Sequence, residues 1–210
     1  RGSRSCAGSG RDILISMSTC DNPELRAEVL KWRSGYPDVA HLTPDALRKL
    51  QHEHAVRLVD CRSEAEHAVS TLPGAVHVRN FDIASSSTPV VFFCTVGLRS
   101  AAEARAVGIP GAGVLAYSME GILPWVHAGG ELVDAHGAAT RRLHAFGAKY
   151  AAMAPASHEA VCFATRLSLF LHTLRAARRF LLLRCLREYR AFWQLVSAAR
   201  QGAAWTWSVM

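Results

Sequence analysis

The 210-residue chain has no paired cysteine motif. Its six cysteines, at positions 6, 20, 61, 94, 162 and 185, are irregularly spaced and form no C-x-x-C pair. This argues against a zinc site and against a small disulfide scaffold, and reduced thiols in an intracellular compartment are the simplest interpretation. The "HEH" sequence at 52–54 has no partner cluster with ligand spacing, so we predict no metal site, and no nucleotide or flavin site is indicated either.

Long apolar runs are also absent. The most apolar stretch of the tail, "FLLLRCLREYRAFWQLV", is interrupted by arginines and falls short of the roughly 20 apolar residues of a membrane-spanning helix. We therefore expect a soluble protein with no transmembrane segment.

Lysine is missing from residues 158–210, which hold eight arginines and two acids and carry +6 of the net charge of +7. The rest of the chain is nearly neutral, and this argues against a nucleic-acid-binding surface across the folded domain. By propensity the tail is helical from about 158 to 200. Its arginines do not gather on one helical face, since Arg166 and Arg175 lie on opposite sides, so a weakly amphipathic extension is favoured over a helix that binds an anionic membrane or an acidic partner.

The chain begins with arginine rather than methionine, and "RGSRSCAGSGR" contains no acidic residue. This composition is typical of a disordered leader, which we place at residues 1–20, and also of the remnant of a plastid or mitochondrial transit peptide. The cytoplasm and an organelle both remain open as the compartment.

Helix signals alternate with short apolar runs from residue 22 onward. "NPELRAEVLKWRSG" and "LTPDALRKL" each have a capping residue followed by proline, "SEAE" has the spacing of a capping box, and "LRSAAEARAV" is rich in helix formers. Strands are predicted at "VRLVD" (56–60), "AVHV" (75–78), "PVVFFC" (89–94) and "GVLAY" (113–117). Unbroken apolar strands that alternate with helices predict an α/β fold with a parallel sheet covered on both faces.

The cysteine of "CTVGLRS", Cys94, ends the most apolar of these strands and precedes a helix. Sites form at the carboxyl ends of parallel strands, and Gly97 lets the backbone curl so that N–H groups point inward. Such a loop at a helix N-terminus binds anions and stabilises a thiolate, and Arg99 adds a positive charge. The pattern indicates a nucleophilic cysteine rather than a buried apolar one.

The segments "LVDCRSEAEHAVSTLPGAVHV", "VVFFCTVGLRSAAEA" and "MEGILPWVHAGGELV" resemble, in order, the signatures of a rhodanese-like domain over residues 38–135. The resemblance implies a single α/β domain with a five-stranded parallel sheet flanked by helices. With it we expect the domain at residues 21–150 and a basic, helical extension at 151–210. The family's cysteine carries a sulfane sulfur as a persulfide from thiosulfate or another donor to a thiophilic acceptor such as cyanide or a thiol.

The resemblance also implies roles for individual residues. Cys94 would be the nucleophile, Arg99 would bind the anionic donor, and Trp125 occupies a packing position. The expected anion-binding loop comprises Thr95, Val96, Gly97, Leu98, Arg99 and Ser100, and the expected supporting polar network comprises Asp60, Arg62 and Glu66. Cys61, next to Asp60, is a candidate resolving thiol. Its side chain points to the opposite face of the strand from that of Asp60, which favours core packing.

Two alternatives stay open. The loop encloses four residues between Cys94 and Arg99, as in the sulfurtransferases, whereas phosphatase and arsenate reductase relatives have one more, although "LVDCR" resembles the phosphatase branch. The segment between "AVHV" and Cys94 is shorter than the family usually has, which would suit a weakly active or non-catalytic module for sulfur relay or for binding a protein partner. The family pattern also differs at 70–72 ("STL") and at Glu120.

Overall fold

The computed structural model describes residues 20–83, 86–108, 115–163 and 166–207. The leader predicted at 1–20 lies outside these ranges except for Cys20, and so do residues 113 and 114 of the predicted strand 113–117.

A five-stranded sheet forms the centre of the domain. Its strands are β1 (Ala40–Leu42), β2 (Arg57–Asp60), β3 (Val76–His77), β4 (Val90–Phe93) and β5 (Ala116–Met119). They lie in the order β1-β5-β4-β2-β3, and every neighbouring pair is parallel. The α/β fold with a five-stranded parallel sheet is thus confirmed.

Seven helices accompany the strands over the described residues. They are α1 (Pro23–Ser34), α2 (Pro44–Glu53), α3 (Glu64–Val69), α4 (Leu98–Val107), α5 (Ile122–His127), α6 (Ala148–Ala151) and α7 (Arg166–Trp207), and a 3-10 turn spans Val78–Asn80. Two small sheets follow α5: β6 (Leu132–Val133) pairs antiparallel with β7 (Ala139–Thr140), and β8 (Arg142–His144) pairs parallel with β9 (Glu159–Val161). No described helix is both long and apolar enough to cross a membrane.

The hydrogen bonds of the capping side chains confirm the predicted helix starts. Asn22 Oδ1 accepts the Leu25 N–H at 3.1 Å, and Thr43 Oγ1 accepts the Ala46 N–H at 3.2 Å. Ser63 and Glu66 form the reciprocal capping box at the start of α3. Each of these caps satisfies backbone donors that a helix start leaves without an intrahelical partner.

The sheet is covered on both faces, which explains the unbroken apolar strands. Along β4, Val91 and Phe93 pack in one buried cluster with residues of α1, α2 and α5, while Val90, Phe92 and the following Cys94 pack in another against α4. Because neighbouring side chains of a strand point to opposite faces, both faces need apolar residues.

Trp125 has the packing role expected of it. It is 8% exposed, its Nε1 donates to Glu131 O at 2.9 Å, and the Arg48 guanidinium lies over its ring.

Several elements differ from the predictions. Strands β1, β6, β7 and β8 have no counterpart among the predicted strands, and β5 begins at Ala116 and runs past the predicted end at 117. The tail begins with strand β9 at Glu159–Val161 rather than with helix, because Arg142–His144 offers this segment a pairing partner. Helix α7 then starts at Arg166 and packs against α4.

Candidate active site

Cys94 lies at the carboxyl end of β4, directly before the loop that leads into α4. Gly97 N–H donates to Cys94 Sγ at 3.2 Å, and Ser100 Oγ lies 3.6 Å from the same sulfur. Ser118 on β5 in turn donates to Ser100 Oγ at 3.0 Å. The sulfur therefore sits at a helix N-terminus and accepts a backbone N–H, an arrangement that stabilises negative charge.

Gly97 gives the loop its curl. Its φ of +96° lies in the left-handed region that favours glycine, and as N-cap of α4 it supplies no side-chain hydrogen bond to the first turn. The N–H groups of that turn have no partner within the helix, so they are suited to bind an anion next to Cys94.

The segment after β5 fixes the loop from behind. Ile122 N–H donates to Cys94 O at 2.8 Å, and Leu123 N–H donates to Thr95 O at 3.3 Å. Gly121 makes this approach possible, since a Cβ there would lie 2.4 Å from Thr95 O and the φ is +125°. Glu120, where the family pattern has glycine, has a buried carboxylate whose Oε1 lies 3.9 Å from Arg33 Nη1.

Arg99 is held by Glu66. Its Nη1 and Nη2 donate to the two Glu66 carboxylate oxygens at 2.8 and 2.9 Å, and Nη2 also donates to Thr95 Oγ1 at 2.9 Å. The guanidinium lies over the Phe146 ring as well. Burial by itself would raise the pKa of Glu66, but the facing Arg99 outweighs it and lowers that pKa to about 2, so the pair is charged at neutral pH.

A second buried ion pair lies beside the first. Arg62 Nη2 donates to Asp60 Oδ2 at 2.7 Å, and both side chains are fully buried. His67 Nδ1 and Thr71 Oγ1 each lie 3.0 Å from the same oxygen. Burial opposes ionisation of Asp60, yet Arg62 and the hydrogen bonds hold its pKa well below the ordinary value.

Cys61 directly follows β2, the strand that pairs with β4, as Cys94 directly follows β4. Its N–H donates to Phe93 O at 2.8 Å, and both thiols belong to the same buried cluster. Burial raises the pKa of the Cys61 thiol well above its ordinary value. Cys61 is therefore protonated at neutral pH, which suits the packing role better than that of a resolving thiol.

The structure brings the residues singled out from the sequence into one region. The loop from Cys94 to Ser100 joins β4 to α4, Glu66 contacts it through Arg99, and Asp60 and Arg62 lie at the end of β2, the strand that pairs with β4. Cys94 is 1% exposed, and both Nη atoms of Arg99 are bound to Glu66 rather than directed at an open anion site.

Several polar contacts of this region were not predicted. His67, Thr71 and Ser118 bond to the site residues, and Phe146 lies under the Arg99 guanidinium. These residues belong to no local pattern around Cys94, and only the tertiary fold brings them there. His67 alone had a sequence signal, since it directly follows Glu66 in α3.

Comparison with known proteins gives one family. Residues 43–125 match the family described as "Rhodanese-like domain". No curated protein matches the chain.

Among solved structures, the thiosulfate sulfurtransferase of Pseudomonas aeruginosa is 20% identical with a TM-score of 0.45, and the match covers 60% of this chain and 26% of that one. The chain thus spans about a quarter of that protein's length. A Rhodopseudomonas palustris protein of unknown function, described as a possible tyrosine phosphatase, is 24% identical with a TM-score of 0.39, over 50% of this chain and 91% of the other. A rhodanese-related protein of Thermoplasma volcanium is 19% identical with a TM-score of 0.38, over 44% and 96% of the two chains.

The matched segment runs from the N-cap of α2 into α5 and includes Asp60, Glu66, Cys94 and Arg99. It also contains four of the five strands of the central parallel sheet. The chain therefore contains a rhodanese-like domain.

Proposed function

We propose that this protein is a sulfurtransferase that carries sulfur as a persulfide on Cys94. The Cys94 thiolate attacks the sulfane sulfur of thiosulfate or a similar donor, a new S–S bond forms, and the donor's S–S bond breaks with sulfite leaving on the electron pair. A thiophilic acceptor such as cyanide then attacks the outer sulfur and regenerates the thiolate. No external oxidant or reductant is needed.

The observation that carries this proposal is the position of the sulfur. Cys94 Sγ lies at the N-terminus of α4 and accepts the Gly97 N–H at 3.2 Å. The backbone array that would stabilise the thiolate would equally stabilise a persulfide anion and the charge of an incoming dianion.

Loop length supports sulfur chemistry over phosphate chemistry. Four residues separate Cys94 from Arg99, the spacing that the resemblance associates with sulfurtransferases. Phosphatase and arsenate reductase relatives have one more loop residue, which makes room for a tetrahedral phosphate.

Arg99 has a positioning role in this proposal in addition to donor binding. Because Glu66 engages both Nη atoms, a donor would meet a guanidinium whose charge is already largely balanced. The backbone N–H groups from Thr95 to Ser100 would then be the principal ligands of the donor, and Arg99 would hold the loop in shape.

A binding or sulfur-relay module is the second candidate, and one observation favours it. Cys94 is only 1% exposed, so a small donor reaches the sulfur only when the surrounding side chains move aside. A protein partner that opens this region would provide such access.

Intact mass spectrometry after brief incubation with thiosulfate separates the two candidates. We expect the wild-type protein to gain one sulfur atom, the Cys94→Ser variant to gain none, and cyanide to remove the added sulfur. Cys61→Ser serves as the matched control and should load sulfur like the wild type. Loading of Cys94→Ser, or absence of loading in a wild-type protein whose Cys94 is still alkylated by iodoacetamide, would contradict the enzyme proposal, and the second result would favour the module.

A further inference from the structure

A pocket of about 580 Å³ lies between the rhodanese-like domain and the tail helix α7. Residues 61–66 after β2, residues 77–79, Arg99 and Glu103 line it on the domain side, and α7 closes it with side chains between His172 and Leu183. This volume is in the range of ordinary small-molecule sites. Cys94 is not among the lining residues.

The lining carries an excess of positive charge. Its six arginines are Arg62, Arg79, Arg99, Arg175, Arg178 and Arg179, against the three carboxylates of Glu64, Glu66 and Glu103. Each carboxylate is already paired with one arginine, through Arg79–Glu64, Arg99–Glu66 and Arg179–Glu103. Arg175 and Arg178 form no ion pair with any described residue.

Arg62 lines the pocket but is buried and already paired. The residue is 2% exposed, its Nε and Nη2 bond to Asp60, and Nη2 also donates to Ser70 O. Its Nη1 has no hydrogen-bond partner among the described residues. That nitrogen is itself shielded from solvent and the facing Asp60 balances the charge, so Arg62 adds no free cation to the pocket, and Arg175 and Arg178 carry its excess charge.

Apolar side chains form the remaining wall. Val78, Phe146, Phe180, Leu182 and Leu183 line the pocket beside the arginines. A site that combines unpaired cations with aromatic and aliphatic surface fits a molecule with one anionic group and an apolar body, since a bare inorganic anion would leave that surface uncovered.

His172 lies on the α7 side of the pocket, close to its positive charges. Its ring stacks on Phe163 with the centroids 3.9 Å apart. Burial and the nearby Arg175 lower the pKa of His172, so it lines the pocket as a neutral imidazole at neutral pH.

We propose that this pocket binds a small organic anion, whose phosphate, sulfonate or carboxylate group is held by Arg175 and Arg178 and whose apolar body packs on Phe146, Leu182 and Leu183. The pocket adjoins the loop of Cys94 through Arg99, but Cys94 does not line it, so ligand binding there does not depend on the chemistry of Cys94. The pocket is completed by α7, so the tail helix has a part in ligand binding.

The test is a fluorescence titration with 8-anilinonaphthalene-1-sulfonate, an anion with an aromatic body. We expect Arg175→Glu/Arg178→Glu to weaken dye binding at least tenfold relative to wild type. The matched control is Arg184→Glu/Arg187→Glu, which makes the same change of charge on the same helix at residues that do not line the pocket, and it should bind like wild type. The milder Arg175→Gln/Arg178→Gln variant should show a smaller loss, and circular dichroism checks that each variant is folded.

Competition identifies the class of ligand. Decyl phosphate should displace the dye, while the same concentration of inorganic phosphate or of decanol should not. If both charge-reversal variants weaken dye binding equally, the proposed site is wrong. It is also wrong if Leu174→Ser/Leu181→Ser, on the outer face of α7, abolishes dye binding. Displacement by inorganic phosphate as effective as by decyl phosphate would overturn the apolar part of the proposal.

Discussion

Glu66 links helix α3 to the loop of Cys94, and its charge should matter for stability. Its carboxylate is fully buried against Arg99, so Glu66→Gln leaves a buried guanidinium without its counter-charge. We expect the free energy of unfolding at neutral pH to fall by about 3 kcal/mol, which urea denaturation measures.

The pH dependence gives this prediction its sign. Folding lowers the pKa of Glu66 from 4.5 to about 2. The stabilisation that the ionised carboxylate contributes is therefore complete above about pH 4.5 and is lost as the pH falls towards 2. The difference in unfolding free energy between the wild type and Glu66→Gln should therefore become smaller over that pH interval. Glu64→Gln is the control, because the exposed Glu64–Arg79 pair should change stability by less than about 1 kcal/mol. Equal losses in the two variants, or a difference that does not depend on pH, would contradict the argument.

A single methyl group at Gly121 should be strongly destabilising. A Cβ would collide with the backbone of Thr95, and neither backbone segment can move without breaking the bonds that hold the loop. We expect Gly121→Ala to cost more than about 4 kcal/mol of unfolding free energy. Gly129→Ala is the control: its φ is also positive, at +73°, but nothing lies within 4 Å, so a loss of about 1 to 2 kcal/mol is expected from thermal denaturation.

At this scale the sequence predicts which residues gather but not how they bond. Cys94, Gly97 and Arg99 form a local pattern that fixes a nucleophile, a turn and a charge within six positions. The partner of Arg99 is 33 positions away, and its bidentate contact with Glu66 depends on how α3 packs beside the loop. The buried position of Arg62 Nη1, which has no hydrogen-bond partner in the part of the chain that the structure describes, likewise has no sequence signature.

Among the elements, helices with a capping residue were predictable because the signal and the structure lie within four residues of each other. Asn22, Thr43 and Ser63 each cap the helix whose start they predicted. Strand β1 was missed because Ala40–Leu42 is too short for an apolar pattern, and it is a strand only because β5 lies beside it. The same reason explains β9, which owes its conformation to β8.

Docking of α7 on α4 is testable as a coupling between two residues. Arg179 contacts the carboxylate of Glu103, whose side chain is 7% exposed, and Arg190 Nη1 donates to Ala106 O at 3.3 Å. A double-mutant cycle with Glu103→Gln and Arg179→Gln should give a coupling energy of about 1 kcal/mol, because half of the pair is exposed. The Arg184–Glu188 pair within α7 is the control, and its coupling energy should be only a few tenths of that value. A coupling no larger than the control would argue that α7 does not dock here.

For the whole molecule, the unusual feature is the orientation of α7. The helix turns Arg179 and Arg190 towards α4, whereas Phe170, Leu174, Leu181 and Phe192, spaced 4, 7 and 11 residues apart, share an outer face on which each is about half exposed or more. An exposed apolar face of this kind promotes association.

We therefore expect Phe170→Gln/Leu174→Gln/Leu181→Gln to raise the protein concentration at which light scattering begins to increase. Leu115→Gln is the control, since Leu115 is as exposed but lies outside α7. An unchanged onset in the triple variant would show that this face does not limit solubility.

The pairing of β8 with β9 encloses a loop of the chain from Ala145 to His158, with Ala156 and Ser157 exposed at its turn. Beyond the turn, β9 is hydrogen bonded to β8, and α7 contacts α4 through Arg179 and Arg190. Continuity of the peptide at 156–157 is therefore not what keeps the tail on the domain. We expect a protein cleaved once at this turn to migrate as a single species in native electrophoresis and to separate into two fragments only in denaturant.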